Sequence, residues 1–589
     1  MNLAFGKWIL RQVDLASVPM PLGSFDRDDN LRRLSEEHFD LLVIGGGITG
    51  AGVALDAAAR GLRTALIERD DLASGTSSKS SKLVHGGLRY LQQKEFRLVY
   101  EALHERQRLL RNAPHLVRVL PFLIPLLGKD GTVNRAIAKA YGTALWLYDL
   151  TGGWRLGRLH QKMDRDEALG HLPTLDPDRL VAAFIYYDAT ADDARLTLTI
   201  ARTAALDHGA AVANHTAATG FVRDGSGRIC AVEVTPAGQE TFTVAATTVV
   251  NASGVWADEV RTLESGLDPD SIRPAKGVHI TVPWSKVRND IAAVLPVSGD
   301  RRSVFVVRWD DRTYIGTTDT DYDGSLDHPV CTDDDIDYLL GAVNASLSEP
   351  LVRSDVVATW AGLRPLVKSA SPGRTADLSR RHQVESSDGG LITVTGGKLT
   401  TYRKMAADTV DAVLAAQGRR ARGKLKSTTG SLPLRGSAEF EELARDVGLE
   451  PDDRQTSDGH GGEPASLDQH LVRRYGGEAR DLMARLEADP SLAEPLVPGL
   501  PYAAVEAVHA VESEMATDLH DVLDRRTRAR LLDARATIGA ADGVAALIGP
   551  LLGWDADRQQ AEAASYRAAV IDELHVAGLD GALDAASGA

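Results

Sequence analysis

Three glycines spaced as Gly45-x-Gly47-x-x-Gly50, with Glu68 lying 23 positions after the first, carry the clearest chemical meaning in this sequence. They sit in Phe39-Asp-Leu-Leu-Val-Ile-Gly-Gly-Gly-Ile-Thr-Gly50, an apolar run that predicts a buried strand entering a glycine turn. The small residues from Ala51 to Arg60 predict a helix, and Arg63 to Ile67 a second strand that ends in Glu68. In this order Gly45 permits the tight turn, Gly47 lets a pyrophosphate approach the backbone, and Gly50 lets helix and strand pack closely. The helix N-terminus then faces phosphates, and Glu68 is placed to bond a ribose hydroxyl. The pattern implies an adenine dinucleotide site.

Two further segments favour FAD over a nicotinamide. The polar run Ser74-Gly-Thr-Ser-Ser-Lys-Ser-Ser-Lys82 offers hydroxyls and amides to a diphosphate and ribityl chain, through Thr76, Ser77, Ser78 and Ser81. Late in the chain, Leu391 to Thr395 predicts a strand and Gly396-Gly397 a turn. Leu399 to Ala415 then predicts a helix capped by threonines, so that Gly397, Lys398, Leu399 and Thr400 open it. A lysine at a helix N-terminus stabilises negative charge on a reduced flavin ring. Between these segments, the strand Thr247 to Val250 leads into Asn251-Ala-Ser-Gly-Val-Trp256, where Ala252, Gly254 and Trp256 suit a second cofactor contact.

The elements that must position these residues are spread over the chain, so the cofactor unit is discontinuous. We expect an α/β fold: a Rossmann-type FAD-binding domain (38–115, 180–270, 355–420) with a β-rich substrate-binding domain (116–179, 271–354). It follows the glutathione-reductase/amino-acid-oxidase-like flavoprotein plan. An all-α C-terminal cap (425–578), an N-terminal extension (1–37) and a tail (579–589) complete the division. Residues 91–112 and Asp192 to Gly209 read as helical, and Ser303 to Arg308 with Thr313 to Thr317 as a hairpin around Asp310-Asp311. Leu116 to Leu127 is apolar but broken by Pro121 and Pro125, which excludes a regular helix. The polar, glycine-rich stretch Asp452 to Glu463 interrupts the cap.

With 589 residues, 43% hydrophobic and 25% charged, the chain reads as an ordinary soluble protein of several domains. A net charge of -16 argues against nucleic acid and leaves an anionic substrate dependent on a local basic pocket. Cys230 and Cys331 form no CxxC, so neither a disulfide framework nor a zinc site is expected, and a reducing cytosol suits the chain. The N-terminal extension has no apolar run fit for a signal peptide or a membrane span; its Phe5 to Leu10 segment is expected to pack on the body.

Five ordered motifs carry a family resemblance. Ser80-Ser-Lys-Leu-Val-His-Gly-Gly-Leu-Arg-Tyr-Leu91, Lys276-Gly-Val-His-Ile280, Ile315-Gly-Thr-Thr-Asp-Thr320, Ala361-Gly-Leu-Arg-Pro-Leu366 and Thr395-Gly-Gly-Lys-Leu-Thr-Thr-Tyr-Arg403 resemble those of FAD-dependent (aerobic) glycerol-3-phosphate dehydrogenases. The resemblance runs from about residue 38 to past residue 550.

It implies oxidation of sn-glycerol 3-phosphate to dihydroxyacetone phosphate by hydride transfer from C2 to FAD N5. That chemistry needs cations for the phosphate, a hydride acceptor and a base for the hydroxyl proton. By resemblance Arg364 and Arg380 take the phosphate, suited by their planar forks. Arg89 and Tyr90 orient the C2 and C1 oxygens, and Lys398 and Thr400 sit at the flavin and substrate oxygens. His279 is the general base and His85 its rival, while an arginine that lowers the hydroxyl pKa is a third route. The resemblance also implies a membrane quinone as electron acceptor and a cytoplasmic enzyme held peripherally at the inner face of the cytoplasmic membrane. Arg106, Arg108, Arg111, Arg118 and Lys129, flanking Leu116 to Leu127, offer a contact with anionic lipid; a buried connector is the competing reading. A second basic run, Arg525, Arg526, Arg528 and Arg530, reads as a solvated helix face or an inter-domain clamp. A homodimer contact is one role open to the helical cap. Alternatives are a glycerol-3-phosphate oxidase using O2, an FAD amine or amino-acid oxidase, and a catalytically silent flavoprotein scaffold.

Overall fold

The glycine fingerprint sits at the centre of a six-stranded sheet. A computed structural model of the protein describes residues 25–87, 95–128, 135–297, 302–368, 382–420, 423–449 and 465–580. The strand order is Gln383–Ser386, Leu391–Thr395, Val249–Asn251, Leu41–Ile44, Thr64–Ile67, Ala211–Ala213, all parallel except the first. A parallel sheet must be covered on both faces. Leu41 and Val43 pack against the helices Ile48–Ala59, Asp193–Leu206 and Tyr402–Ala416. Leu42 and Ile44 face the other way, onto an antiparallel-rich layer made by Thr216–Arg223, Ile229–Pro236 and Phe242–Ala246. The segments expected to build the cofactor unit therefore do meet, from opposite ends of the chain.

A ten-stranded sheet forms the second body. Leu180–Ala191 and Ala358–Val367, grouped with the cofactor segments by the sequence reading, are strands of this sheet: the first pairs with Val117–Leu127, the second with Ile272–Pro283. The proline-broken run is thus an interior strand, not an exposed patch. Pro121 and Pro125 are four residues apart and share one edge. The strand keeps its pairing with Leu180–Ala191 along the other, and its second neighbour pairs only at Ala292–Ala293. The expected hairpin is present as Ser303–Trp309 and Arg312–Gly316.

The C-terminal region is helical, but it is not detached. Helices from Ala504–Glu514 to Ala556–Val576 share one apolar core with the large sheet, where Val522, Leu532, Val544 and Val570 join Val278, Ile280 and Ile315. Phe440–Asp446, Leu467–Tyr475 and Ala479–Ala488 form a smaller core of their own. At the other end, Phe25 is buried and Arg27–Glu36 is a helix packed on the cofactor sheets, so part of the expected extension belongs to the fold. Phe5 to Leu10, Asp452 to Glu463 and residues 581–589 of the expected tail lie outside the described residues.

Candidate active site

One cleft of about 720 Å³ gathers most of the residues singled out in the sequence. It starts at Gly45, Gly47 and Glu68, runs past Thr76, Ser77 and Ser81, and reaches His279 and Arg364. Ala252, Gly254 and Trp256 form another wall, and Gly397 to Thr400 closes it. Local backbone chemistry explains the first part. Gly45 has φ +109°, and a Cβ there would lie 2.7 Å from the Ala252 carbonyl oxygen. Gly50 is not on the cleft; a Cβ on it would stand 1.8 Å from the Gly45 oxygen, so its absence lets the helix seat against the turn. Ser77 Oγ accepts from the Ile48 N–H at 2.9 Å, occupying one orphan donor of the helix N-terminus.

Glu68 accepts from the N–H of Gly46 at 2.6 Å and of Asp70 at 2.9 Å. Burial pushes its carboxyl pKa up, and the two backbone donors pull it back. Ser78 differs from the expectation. Its side chain is buried and turned to the Gly75 carbonyl, and its own carbonyl accepts from Arg528, so it does not line the cleft. The late helix also begins later than expected, at Tyr402, after a 3-10 turn Leu399–Thr401. Thr401 sits at its N-cap without a side-chain cap bond, because its hydroxyl donates back to the Lys398 carbonyl. Thr400 is buried, and its hydroxyl bonds the backbone of His85.

His279 lies on Ile272–Pro283, opposite Gly316 on one side and Trp360 on the other. Its Nε2 is 2.8 Å from Ser81 Oγ, and its ring stacks on Trp360 at 4.7 Å and 10°. It is 2% exposed. Burial, then the cations Lys82 and Arg364, hold its pKa well below the usual histidine value, so the ring is neutral at neutral pH. Arg364 points to the same end of the cleft and is held by Asp319 at 2.6 Å. Arg302, which also lines the cleft, donates to the Asp319 carbonyl at 3.1 Å. His85 is on the wall as well, edge-on to Phe305. Arg89, Tyr90 and Arg380 fall outside the described residues.

Sequence reasoning missed Trp360, Tyr314 and Arg302, and gave no role to Lys82 and Asp319 although both stand inside the quoted motifs. Trp360 carried a signal, since it immediately precedes a recognised motif, but its place opposite His279 depends on strand register. The expected lipid-binding patch does not survive. Arg106 is fully buried and paired with Asp188, Arg108 with Glu105, and Arg111 donates to the Gly430 carbonyl. Arg118 belongs to the interior strand, and Lys129 lies outside the described residues. The second basic run is a clamp: Arg525 and Arg526 both pair with Asp71, at 2.6 Å each.

Comparison with known proteins matches this architecture over nearly the whole chain. The profile of FAD dependent oxidoreductases matches residues 40–403, and that of the C-terminal domain of alpha-glycerophosphate oxidase residues 427–559. The chain is 41% identical over 556 residues to glycerol-3-phosphate dehydrogenase 2 of Mycobacterium tuberculosis, spanning 94% of this chain and 92% of that protein. It is 36% identical over 593 residues to the mitochondrial glycerol-3-phosphate dehydrogenase of Homo sapiens, spanning 96% and 77%. Among solved structures, the glycerol-3-phosphate dehydrogenase from Bacillus halodurans complexed with FAD superposes with a TM-score of 0.71 at 30% identity, over 94% of this chain and 98% of that one.

Proposed function

The chain belongs to the FAD-dependent oxidoreductase family, close to the glycerol-3-phosphate dehydrogenases within it, and on that premise we propose how its cleft works. The protein is an enzyme that carries out FAD-dependent oxidation of glycerol 3-phosphate. The residues present fit the cofactor: a Cβ-free cradle at Gly45 and Gly47, backbone donors at a helix N-terminus, and a continuous groove to Gly397. Gly45, Gly47, Glu68, Thr76, Ser77, Ala252, Gly254 and Gly397 to Thr400 would hold it. Bound FAD supplies the two-electron acceptor for the hydrogen removed from C2.

The protein's own part is to seat the phosphate, orient the alcohol and move one proton. Arg364 binds the phosphate, and Asp319 holds its guanidinium in place. His279 receives the C2 hydroxyl proton through Ser81, whose hydroxyl bonds Nε2 and lies on the cleft wall. The observation that carries this reading is the neutral, buried imidazole held 2.8 Å from that hydroxyl. Arg89, Tyr90 and Arg380 keep the substrate roles the resemblance implies, and we assign Lys398 and Thr400 to the flavin and substrate oxygens. We expect His279→Ala to cut kcat by about 10²-fold or more while KM changes little; an unchanged kcat removes His279 from the mechanism.

We assign the electrons to a membrane quinone, reached from the cytoplasmic side by a peripherally bound enzyme. Among the described residues no helix is long and apolar enough to cross a membrane. The membrane-facing surface we propose replaces the one expected from sequence. Phe96 and Tyr100 of Phe96–Asn112, Trp146, Leu147 and Leu150 of Arg135–Thr151, and Leu159 are all exposed large apolar side chains. Arg97 and Lys162 are exposed beside them in the chain. Flotation with anionic vesicles should carry the protein, and Trp146→Glu with Leu150→Glu should release it. Protein that stays wholly unbound at low salt contradicts the assignment.

A further inference from the structure

Behind the wall that carries His279 lies a buried ionic cluster that the proposed chemistry does not use. Lys82, Asp193 and Arg528 have side chains 2%, 0% and 1% exposed. Asp193 opens the helix Asp193–Leu206 and binds the other two: Lys82 Nζ lies 3.3 Å and an Arg528 nitrogen 3.1 Å from its Oδ1. Its Oδ2 accepts from the Ser80 N–H at 3.0 Å and the Ser80 hydroxyl at 2.7 Å. Arg528 also donates to the carbonyls of Ser78 and Asp524. Most bonds of this cluster therefore end on the turn from Ser78 to Lys82 or on the element that delivers Arg528; Asp192, 3.5 Å from Arg528 Nε, and the Ala194 N–H, 3.0 Å from Asp193 Oδ1, complete it.

That delivery takes unusual backbone. A π-helical turn, Asp521–Arg526, precedes Arg528, which itself has φ +73°. Lys82 has φ +56°. Left-handed conformations at residues other than glycine are sterically disfavoured, and π turns gather at functional positions. Burying cations where apolar side chains would serve packing as well is also a poor way to gain stability. What the cluster does gain is the position of one hydroxyl and one charge. Ser81, inside the turn, is fixed by Tyr314 donating to its carbonyl at 2.9 Å, and presents Oγ to His279. Lys82 Nζ stands 4.6 Å from the Trp360 ring on which His279 stacks, and Trp360 Nε1 donates to the Ser80 carbonyl.

We propose that Lys82, Asp193 and Arg528 are positioning residues for the Ser81–His279 pair, so that the C-terminal helical region supplies a fixed part of the reactive wall of the cleft. Arg528 and Asp193 lock the turn; Lys82 keeps a cation beside the indole and imidazole stack. The groups facing His279 are Lys82 from the turn, Arg364 from Ala358–Val367 and Tyr314 from Arg312–Gly316. Those facing Lys82 are Asp193, Asp192 and Arg528. Burial, the largest cause, pulls the Lys82 ammonium down to about 8, and Asp193 opposes that pull, so the cation is present at neutral pH.

The kinetic consequence rests on the reading of His279 as proton acceptor; the structural one does not. The test is an NMR titration of histidine-labelled holoenzyme, with the His279 signal assigned from His279→Gln, run beside the pH profile of kcat/KM. In Lys82→Met, which removes a cation facing the ring, His279 should take up its proton at a pH higher by about one unit or more, and in Arg528→Met, which unlocks the turn, its titration should move away from the parent value. Arg528→Lys should return it towards the parent value. The acid limb of kcat/KM should move by the same amount with KM changed less than about threefold. A His279 titration that shifts while the kinetic limb stays put upholds the positioning role and removes His279 as proton acceptor. An unshifted titration in Lys82→Met, or Arg528→Lys as altered as Arg528→Met, overturns the inference. Should Arg528→Met give no folded holoenzyme, Lys82→Met decides alone, since it leaves Asp193 paired with Arg528.

Discussion

Removing Arg364 should separate substrate binding from chemistry in a way that can be worked out from two side chains. Arg364 and Asp319 are 2.6 Å apart, with side chains 25% and 7% exposed. Arg364→Ala removes the guanidinium that we assign to the phosphate, and a hydrogen bond between charged partners is worth about 1.5–3 kcal/mol. The absence of one such bond corresponds to a rise in KM of about 10- to 150-fold. The same change leaves the Asp319 carboxylate poorly solvated, unpaired from Arg364 and close to where the dianion must sit. Repulsion then adds to the weakened binding, which places the single variant at or above the upper end of that range. Arg364→Ala combined with Asp319→Asn should recover part of it, giving a non-additive pair. kcat should fall much less than KM rises, because phosphate interactions act on ground and transition states alike. The assay is steady-state oxidation of glycerol 3-phosphate with a dye acceptor, on protein matched for flavin content. A KM within about threefold of the parent, or exact additivity in the double variant, refutes the assignment.

Three further outcomes follow from single positions. Gly50→Val should purify with little flavin and unfold at lower temperature, since its Cβ would meet the Gly45 carbonyl at 1.8 Å; a fully yellow variant of parental stability contradicts the tight-turn account. His115 is buried, and its imidazole is pulled from 6.5 down to about 4. Between those values the unfolded chain binds a proton the folded one refuses. Stability is therefore complete above about 6.5 and drains away as pH falls towards 4. His115→Leu should flatten that part of the melting-temperature profile, and an unaltered slope would show the acid sensitivity to originate elsewhere. Asp71→Asn should destabilise the junction with the C-terminal region, because the buried Arg526 and the partly buried Arg525 both pair with that carboxylate; unchanged melting would remove the clamp as a source of stability.

What could be read in the sequence follows the range of the interaction. The Gly45 to Gly50 turn, the Gly396-Gly397 turn and the hairpin at Asp310-Asp311 are set by neighbours within a few residues, and all were legible. Pro121 and Pro125 excluded a helix but could not reveal an interior strand, because their tolerance depends on which edge each partner strand occupies. The same limit hid Trp360 beside His279, a pairing between residues 81 positions apart. Arg528 was legible only as a member of a basic run; its partner Asp193 lies 335 positions away, and burial rather than sequence makes the pair matter. The helical character of the C-terminal region was legible, but not that its last helices complete the core of the large sheet.

The central claim is that a flavin held in the glycine cradle takes electrons from glycerol 3-phosphate seated by cations. The most direct measurement is anaerobic addition of glycerol 3-phosphate to the purified yellow holoenzyme while its visible absorbance is followed. The account requires stoichiometric bleaching with dihydroxyacetone phosphate formed in equal amount, and no comparable bleaching by unphosphorylated glycerol. Colourless protein that cannot be reconstituted with FAD, or flavin that stays oxidised under saturating glycerol 3-phosphate, would contradict it.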